Sequence, residues 1–219
     1  MKAKSLFLTV VGLVFFSLAS SAQAIMQDDV DQAVSILNRF GAIPETAIPP
    51  AVMRDAKGVA ILTITKLGFV LSGRGGTGIV VARTESGWSG PSAIGTGGIG
   101  VGFQAGGQVA EHVIVLNTQE AVRAFSRGGN VTLGANISAA VGPVGRSAEA
   151  NVGPSAAIYT YSRSQGLFAG VSLEGTVIAT RYAVNEQYYG KPVYPADILE
   201  GKVTPPAGAR ELLDTLAKY

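Results

Sequence analysis

The 219-residue chain contains no cysteine and a single histidine. The first absence excludes disulfide staples and any acylated cysteine anchor; together they exclude a Cys/His metal cluster. Charge is sparse: only 15% of residues are Asp, Glu, Lys or Arg, and the formal net charge is +2. No basic patch of the kind that grips nucleic acid is present. No G-x-S-x-G elbow, phosphate-loop lysine or paired-carboxylate spacing occurs, which leaves His112 as the one candidate for hydrolytic chemistry, without a recognisable activating partner. No cofactor is expected.

What is abundant is glycine, with 29 residues, on a 47% hydrophobic background. That is too apolar for disorder and points to a compact sheet protein with tight turns and close backbone contacts. The first 24 residues read separately. Lys2 and Lys4 form a positive start, Leu6 to Ala19 is an apolar run too short for a comfortable span, and Ala22-Gln23-Ala24 is a small-residue cleavage box. Cleavage between Ala24 and Ile25 is expected, leaving 195 residues with equal numbers of acids and bases. The predicted product is exported, periplasmic or secreted, and soluble or peripherally attached to an envelope membrane.

Met26, Val30, Ala33, Val34, Leu37 and Phe40 recur at helical spacing, with Asp28, Asp29 and Asp31 in the first turns and Gly41 as a stop. "PPAVMRDA" starts a second, short helix. "GVAILTITKLGFVLS" and "GIVVAR" read as strands, and the intervening "GRGGTG" as a turn or bulged loop. "SGWSGP" is another turn and "EHVIVLN" a strand. "NTQEAVRAFSRGG" is a helix capped by Asn117 or Thr118. Three further strand segments follow, then short helical turns at "NEQYYG" and "PADILEG", and a closing helix with Leu212, Leu213 and Leu216 inward. "GFVLSGRGGTGIVVAR" and "GLFAGVSLEGTVIATR" share length and pattern, which suggests two related hairpins. The fold expected is α+β: an antiparallel, glycine-rich sheet or small barrel flanked by N- and C-terminal helices.

Two literal G-x-G-x-x-G matches occur, at Gly73, Gly75 and Gly78 and at Gly95, Gly97 and Gly100. A dinucleotide site needs a helix opening on the last glycine. Here strands follow both. "GTGGIGVGF" alternates at period two, so Gly98, Gly100 and Gly102 should clear one face for close packing while Ile99, Val101 and Phe103 enter the core. Anion binding fits the residues better. Arg74 lies within a glycine run whose free N–H groups could form an anion nest, and Lys57, Lys66, Arg127 and Arg146 also neighbour glycines. The candidate head-group set is Lys57, Lys66, Arg74, Gly75, Gly76, Arg127 and Arg146.

"AKGVAI", "GFVLSGRGGTGIVVAR", "WSGPSAIGTGGIGVGFQAGGQ", "VIVLNTQEAVRAF" and "GGNVTLGANISAAVGPVGR" resemble blocks of the SYLF domain, also described as a yeast-type actin-binding domain. The resemblance runs from about Ile48 to Tyr219, dividing the chain into a signal segment at 1–24, a helix and linker at 25–47, and a SYLF-like domain at 48–219. It implies a non-enzymatic module that binds membrane lipids of the anionic phospholipid or phosphoinositide kind, with actin binding in some relatives and export in bacterial ones. The signal segment makes actin an unsuitable partner here. An envelope protein is the alternative partner. The polar face of residues 26–40 is acidic with only Arg39 basic, so contact with anionic lipid should fall to the domain's own basic loops.

Overall fold

The computed structural model describes residues 24–42, 47–68, 71–101, 106–133, 139–141, 156–166 and 176–219. Residues 24–41 form helix α1, and α2 is Pro50–Asp55. Strands β1 (Gly58–Gly68), β2 (Leu71–Thr84), β3 (Gly87–Trp88), β4 (Ser92–Val101) and β5 (Gly106–Leu116) follow. Helix α3 (Gln119–Ser126) leads to β6 (Val131–Thr132), β7 (Ala139–Val141), β8 (Ile158–Gly166) and β9 (Val177–Thr180). Helices α4 (Tyr182–Tyr189), α5 (Pro195–Leu199) and α6 (Arg210–Leu216) complete the order. The spatial order of the curled sheet is β6-β9-β4-β2-β1-β5-β8-β7, with β3 beside β2, and every pairing but β7–β8 is antiparallel. The expected α+β fold, an antiparallel sheet or small barrel with flanking N- and C-terminal helices, is what the chain builds, the sheet curling into a half-barrel.

Each face of the sheet carries its own core. Val59, Ile61, Ile79, Val81, Ala93, Val113 and Val115 point to the face covered by α1, α2 and α6. Ala60, Leu62, Ile64, Val80, Ile94, Ile114 and Leu116 point to the face covered by α3 and by Leu199 of α5. Burial on both sides explains why the inner half of β1 is continuously apolar rather than alternating. The six α1 residues picked out by spacing are all buried, as is Ile36. Each fully buried aliphatic side chain contributes about 1.5–3 kcal/mol, so this stripe holds α1 on the sheet. Two arginine–carboxylate contacts set its direction. Arg39 donates to both oxygens of Glu111 (Nε–Oε2 3.1 Å, Nη2–Oε1 2.6 Å), and Asp29 accepts from Thr77 Oγ1 (2.6 Å) and Arg181 Nη1 (2.7 Å). Thr77, Thr63 and Glu111 stand in one cross-strand row, so α1 runs across the strands above it.

One sequence expectation is corrected. "GRGGTG" is neither turn nor loop; Gly73 to Gly78 lie inside β2, paired with β1 on one side and β4 on the other. Glycine composition signals a turn when read locally. Here it serves curvature. A Cβ built on Gly78 would collide with Ile61 O, and one on Gly76 would come within 2.6 Å of Thr63 O. Both would point to the α3 face, toward which β1 bends over β2. The signal segment expected at 1–24 lies outside the described residues but for Ala24.

Candidate functional site

The β1–β2 register places Lys66 directly opposite Arg74, and the flanking strands complete the row with Gly98 on β4 and Gln108 on β5. Cross-strand partners share a face, here that of α3. Two like charges so placed repel. Arg74 relieves this by leaning the other way, over Gly98: a Cβ on Gly98 would lie 3.0 Å from Arg74 Nε. The glycine's missing side chain is thus what seats the guanidinium. Among the described residues no carboxylate stands in this row, and no ion pair joins Lys66 or Arg74. Both cations are half-buried on a surface that can meet an anion.

Four residues further in on β5, on the same face, is His112. It is fully buried, and neither ring nitrogen has a hydrogen-bond partner. Burial, with the Lys66 charge adding to it, pushes its pKa down to about 4. The ring is therefore neutral at physiological pH. Opposite it stand Leu62 and Ser162, and no described acid faces it to form a catalytic relay. Its placement in β5 matches the strand expected over "EHVIVLN".

The other candidate cations are dispersed. Lys57 precedes β1 at the opposite end of the sheet, nine residues or about 30 Å along the strand from Lys66. Arg127 ends α3, next to Gly128, whose carbonyl accepts from Tyr182. Arg146 lies outside the described residues. Gly76 shares the Arg74 face, whereas Gly75 points to the α1 face into open space. The anion nest expected around Arg74 is not formed, because strand pairing on both sides engages the N–H groups of residues 73–78. Gly98 does clear the face it was expected to clear, though for the Arg74 side chain and not for a packed helix. Gly102 and Phe103, and the side chains of Ile99 and Val101, lie outside the described residues.

Sequence reasoning missed two polar features that tie helices to the sheet, both away from the Lys66–Arg74 row. Arg83 donates to Ala56 O (3.2 Å) and Met53 O (3.1 Å) and stacks 4.2 Å from the Trp88 ring centroid, anchoring α2 to β2. Asn185, fully buried on α4, accepts from Ala93 N (2.6 Å) and donates to Ser92 Oγ (3.1 Å), fixing the start of β4. Neither partner is near in sequence, so no local signal marks them.

A family model described as "Ysc84: Las17-binding protein actin regulator" matches residues 97–219. The chain is 46% identical over 202 residues to the SH3 domain-containing YSC84-like protein 1 of Bos taurus and of Homo sapiens, covering 89% of this chain and 59% of each relative. It is 47% identical over 182 residues to LAS seventeen-binding protein 3 of Saccharomyces cerevisiae, covering 81% of this chain and 39% of that protein. The chain thus spans under two thirds of these relatives. The family description speaks of Las17 binding and actin regulation and the yeast relative's name of binding, and none of these names denotes a reaction.

Proposed function

The chain belongs to the Ysc84 family, also called SYLF, and from that premise we propose that it is a non-enzymatic module that binds anionic lipid head groups through Lys66 and Arg74, working as an exported, peripherally attached envelope protein. The observation that carries this reading is the Lys66–Arg74 row, two adjacent cations with no described carboxylate in the row. Export is supported by the apolar 6–19 run and the Ala22-Gln23-Ala24 box. Cleavage after Ala24 would remove nothing from the buried α1 stripe, which starts at Met26. N-terminal sequencing of the protein recovered from its native compartment tests that point, and an intact residue 1 would refute it.

Flotation with vesicles of phosphatidylcholine, with and without phosphatidylglycerol, tests the lipid reading. A basic residue near an anionic surface is worth about 1 kcal/mol. The double variant Lys66→Gln/Arg74→Gln should therefore bind anionic vesicles roughly 30-fold more weakly, and raised salt should weaken the wild type in the same direction. Unchanged flotation of the double variant would overturn the assignment. The family description favours a second reading, a protein-binding module for actin regulators or an envelope protein, which crosslinking in cells separates from the first: adducts with protein and no co-purifying lipid support it.

A further inference from the structure

The cations of the Lys66–Arg74 row do not stand alone at their end of the sheet. Here β1 turns into β2 and β4 into β5: Gly68 pairs with both Ser72 and Gly106, and Leu71 pairs with Val101. The described residues of this end are 65–68, 71–75, 97–101, 106–110 and 164–166; they include no acid, and their only charges are Lys66 and Arg74. The opposite face carries exposed apolar side chains instead. Leu67 is 64% exposed and Val109 43%, both on the α1 face, which Val177 of β9 shares at 38%. Leu67 stands clear because glycines flank it in its row: a Cβ on Gly73 would meet nothing within 4 Å, and one on Gly107 only Leu67 Cδ2 at 3.2 Å and Lys66 O at 4.0 Å.

A surface that meets both sets cannot lie flat on either face. A bilayer laid on the α1 face would miss Lys66 and Arg74 and meet Asp28 and Asp31, which are exposed on α1. One laid on the α3 face would miss Leu67. End-on, all three are reached together. α1 crosses the sheet at the Thr77–Thr63–Glu111 row. Leu67 lies four residues beyond that row, about 13 Å along the strand, and a helix has a half-width of about 5–6 Å. The Leu67 row thus projects roughly 8 Å past α1, and the Lys66–Arg74 row about 3 Å less. A headgroup layer is about 5–8 Å deep, half the difference between the whole bilayer and its hydrocarbon core. Lys66 and Arg74 therefore come level with the lipid phosphates while Leu67 reaches the top of the acyl chains, and α1 with its acids stays on the water side. The backbone tolerates this depth. β1 and β2 are paired on both sides at these rows, so their N–H and C=O groups are already engaged.

We propose that this end of the sheet is the membrane-docking edge: it enters an anionic bilayer end-on, with Lys66 and Arg74 at the phosphates and Leu67 at the acyl boundary. Resting on the lipid reading above, this docking adds an orientation and an apolar contact that salt does not screen. The chain's one tryptophan makes the orientation measurable. Trp88 stands beside Arg83, ten residues or about 33 Å along β2 from Gly73, the cross-strand partner of Leu67. Leu67→Trp places a second indole at the docking end, beside the bare glycines, and should keep the wild-type circular dichroism. The vesicles are phosphatidylcholine with phosphatidylglycerol, with and without bromine on the upper acyl chains. On bound vesicles the emission of Leu67→Trp should shift to the blue and be quenched by bromine, and that of Trp88 in the wild type should do neither. The neutral variant Leu67→Ser should float about tenfold more weakly, since the burial of a leucine is lost, with its salt dependence unchanged. A wild type that ignores the anionic vesicles overturns the lipid reading and this docking with it. Binding by Leu67→Trp without quenching, equal quenching of Trp88, or full flotation of Leu67→Ser overturns the end-on docking alone and leaves the head-group reading standing; the last outcome gives the exposed apolar side chains to a protein partner.

Discussion

Four glycines of β2 give an internally controlled test of what glycine does in this sheet. Replace Gly73, Gly75, Gly76 and Gly78 one at a time with alanine. At Gly78 the new methyl falls on Ile61 O, with Leu62 Cα 2.6 Å away; at Gly76 it comes within 2.6 Å of Thr63 O and 2.9 Å of Ile64 Cγ1. These neighbours are mostly backbone and cannot rotate away, so the sheet itself must flatten. Overpacking costs about 1–3 kcal/mol, and a backbone clash belongs at the upper end. Gly78→Ala should cost about 3 kcal/mol and Gly76→Ala about 2 kcal/mol. For a domain of this size one kcal/mol moves Tm by roughly 2–4 °C, so Gly78→Ala should melt roughly 6–12 °C lower. At Gly73 and Gly75 the methyl meets nothing within 4 Å. Removing the glycine's unfolded-state freedom should there stabilise by about 0.5 kcal/mol. Thermal melts followed by circular dichroism read all four. Four shifts of like sign and size would refute the claim that alternate glycines serve curvature and an open face.

Two further outcomes rest on buried polar groups. His112 has its folded-state pKa lowered from 6.5 to about 4, so between those values the unfolded chain binds more protons. Its contribution is therefore present above pH 6.5 and lost as pH falls toward 4, about 3 kcal/mol in all; urea unfolding across this window should be flatter in His112→Leu, and an identical slope would exclude His112 as the source. Asn185→Ala strands the Ala93 N–H that its Oδ1 now accepts. This should lower stability by about 1–3 kcal/mol, read as a fall in the urea midpoint, and an unchanged midpoint would mean that water takes over that bond.

Legibility in the sequence followed the range of the interaction. The α1 stripe from Met26 to Phe40 was readable because one helix face repeats within the segment, and Thr118 was a readable cap because its acceptor bond to Ala121 N spans three residues. The β2 glycines were misread because a local window cannot distinguish a glycine that turns the chain from one that lets a neighbouring strand bend over it. Lys66 and Arg74 were both named from the sequence. Their pairing was not, since register between β1 and β2 is fixed by the hairpin as a whole. Gly98 was expected to clear space, and only the fold shows that an arginine fills it. The equal footing given to Lys57 and Arg127 reflects the same limit: proximity to glycine is a local property, whereas proximity to Lys66 is not.

The core on the α1 face also constrains how the molecule can form. Leu212 and Leu216 of α6 pack in the same cluster as Met26, Val30 and Leu37, Gln27 Nε2 donates to Gly208 O (3.1 Å), and Tyr188 donates to Gln27 Oε1 (3.3 Å). Early residues thus wait for partners some 160 to 190 positions later. Contacts so distant along the chain make the rate-limiting step a search, placing such a topology among millisecond-to-second folders. During synthesis α1 can coil and touch the sheet as it emerges, yet its outer flank stays uncovered until residues 208 to 216 are free to close over it. A protein made vectorially cannot close this clasp between the two ends of the described chain until residues 208 to 216 have been made.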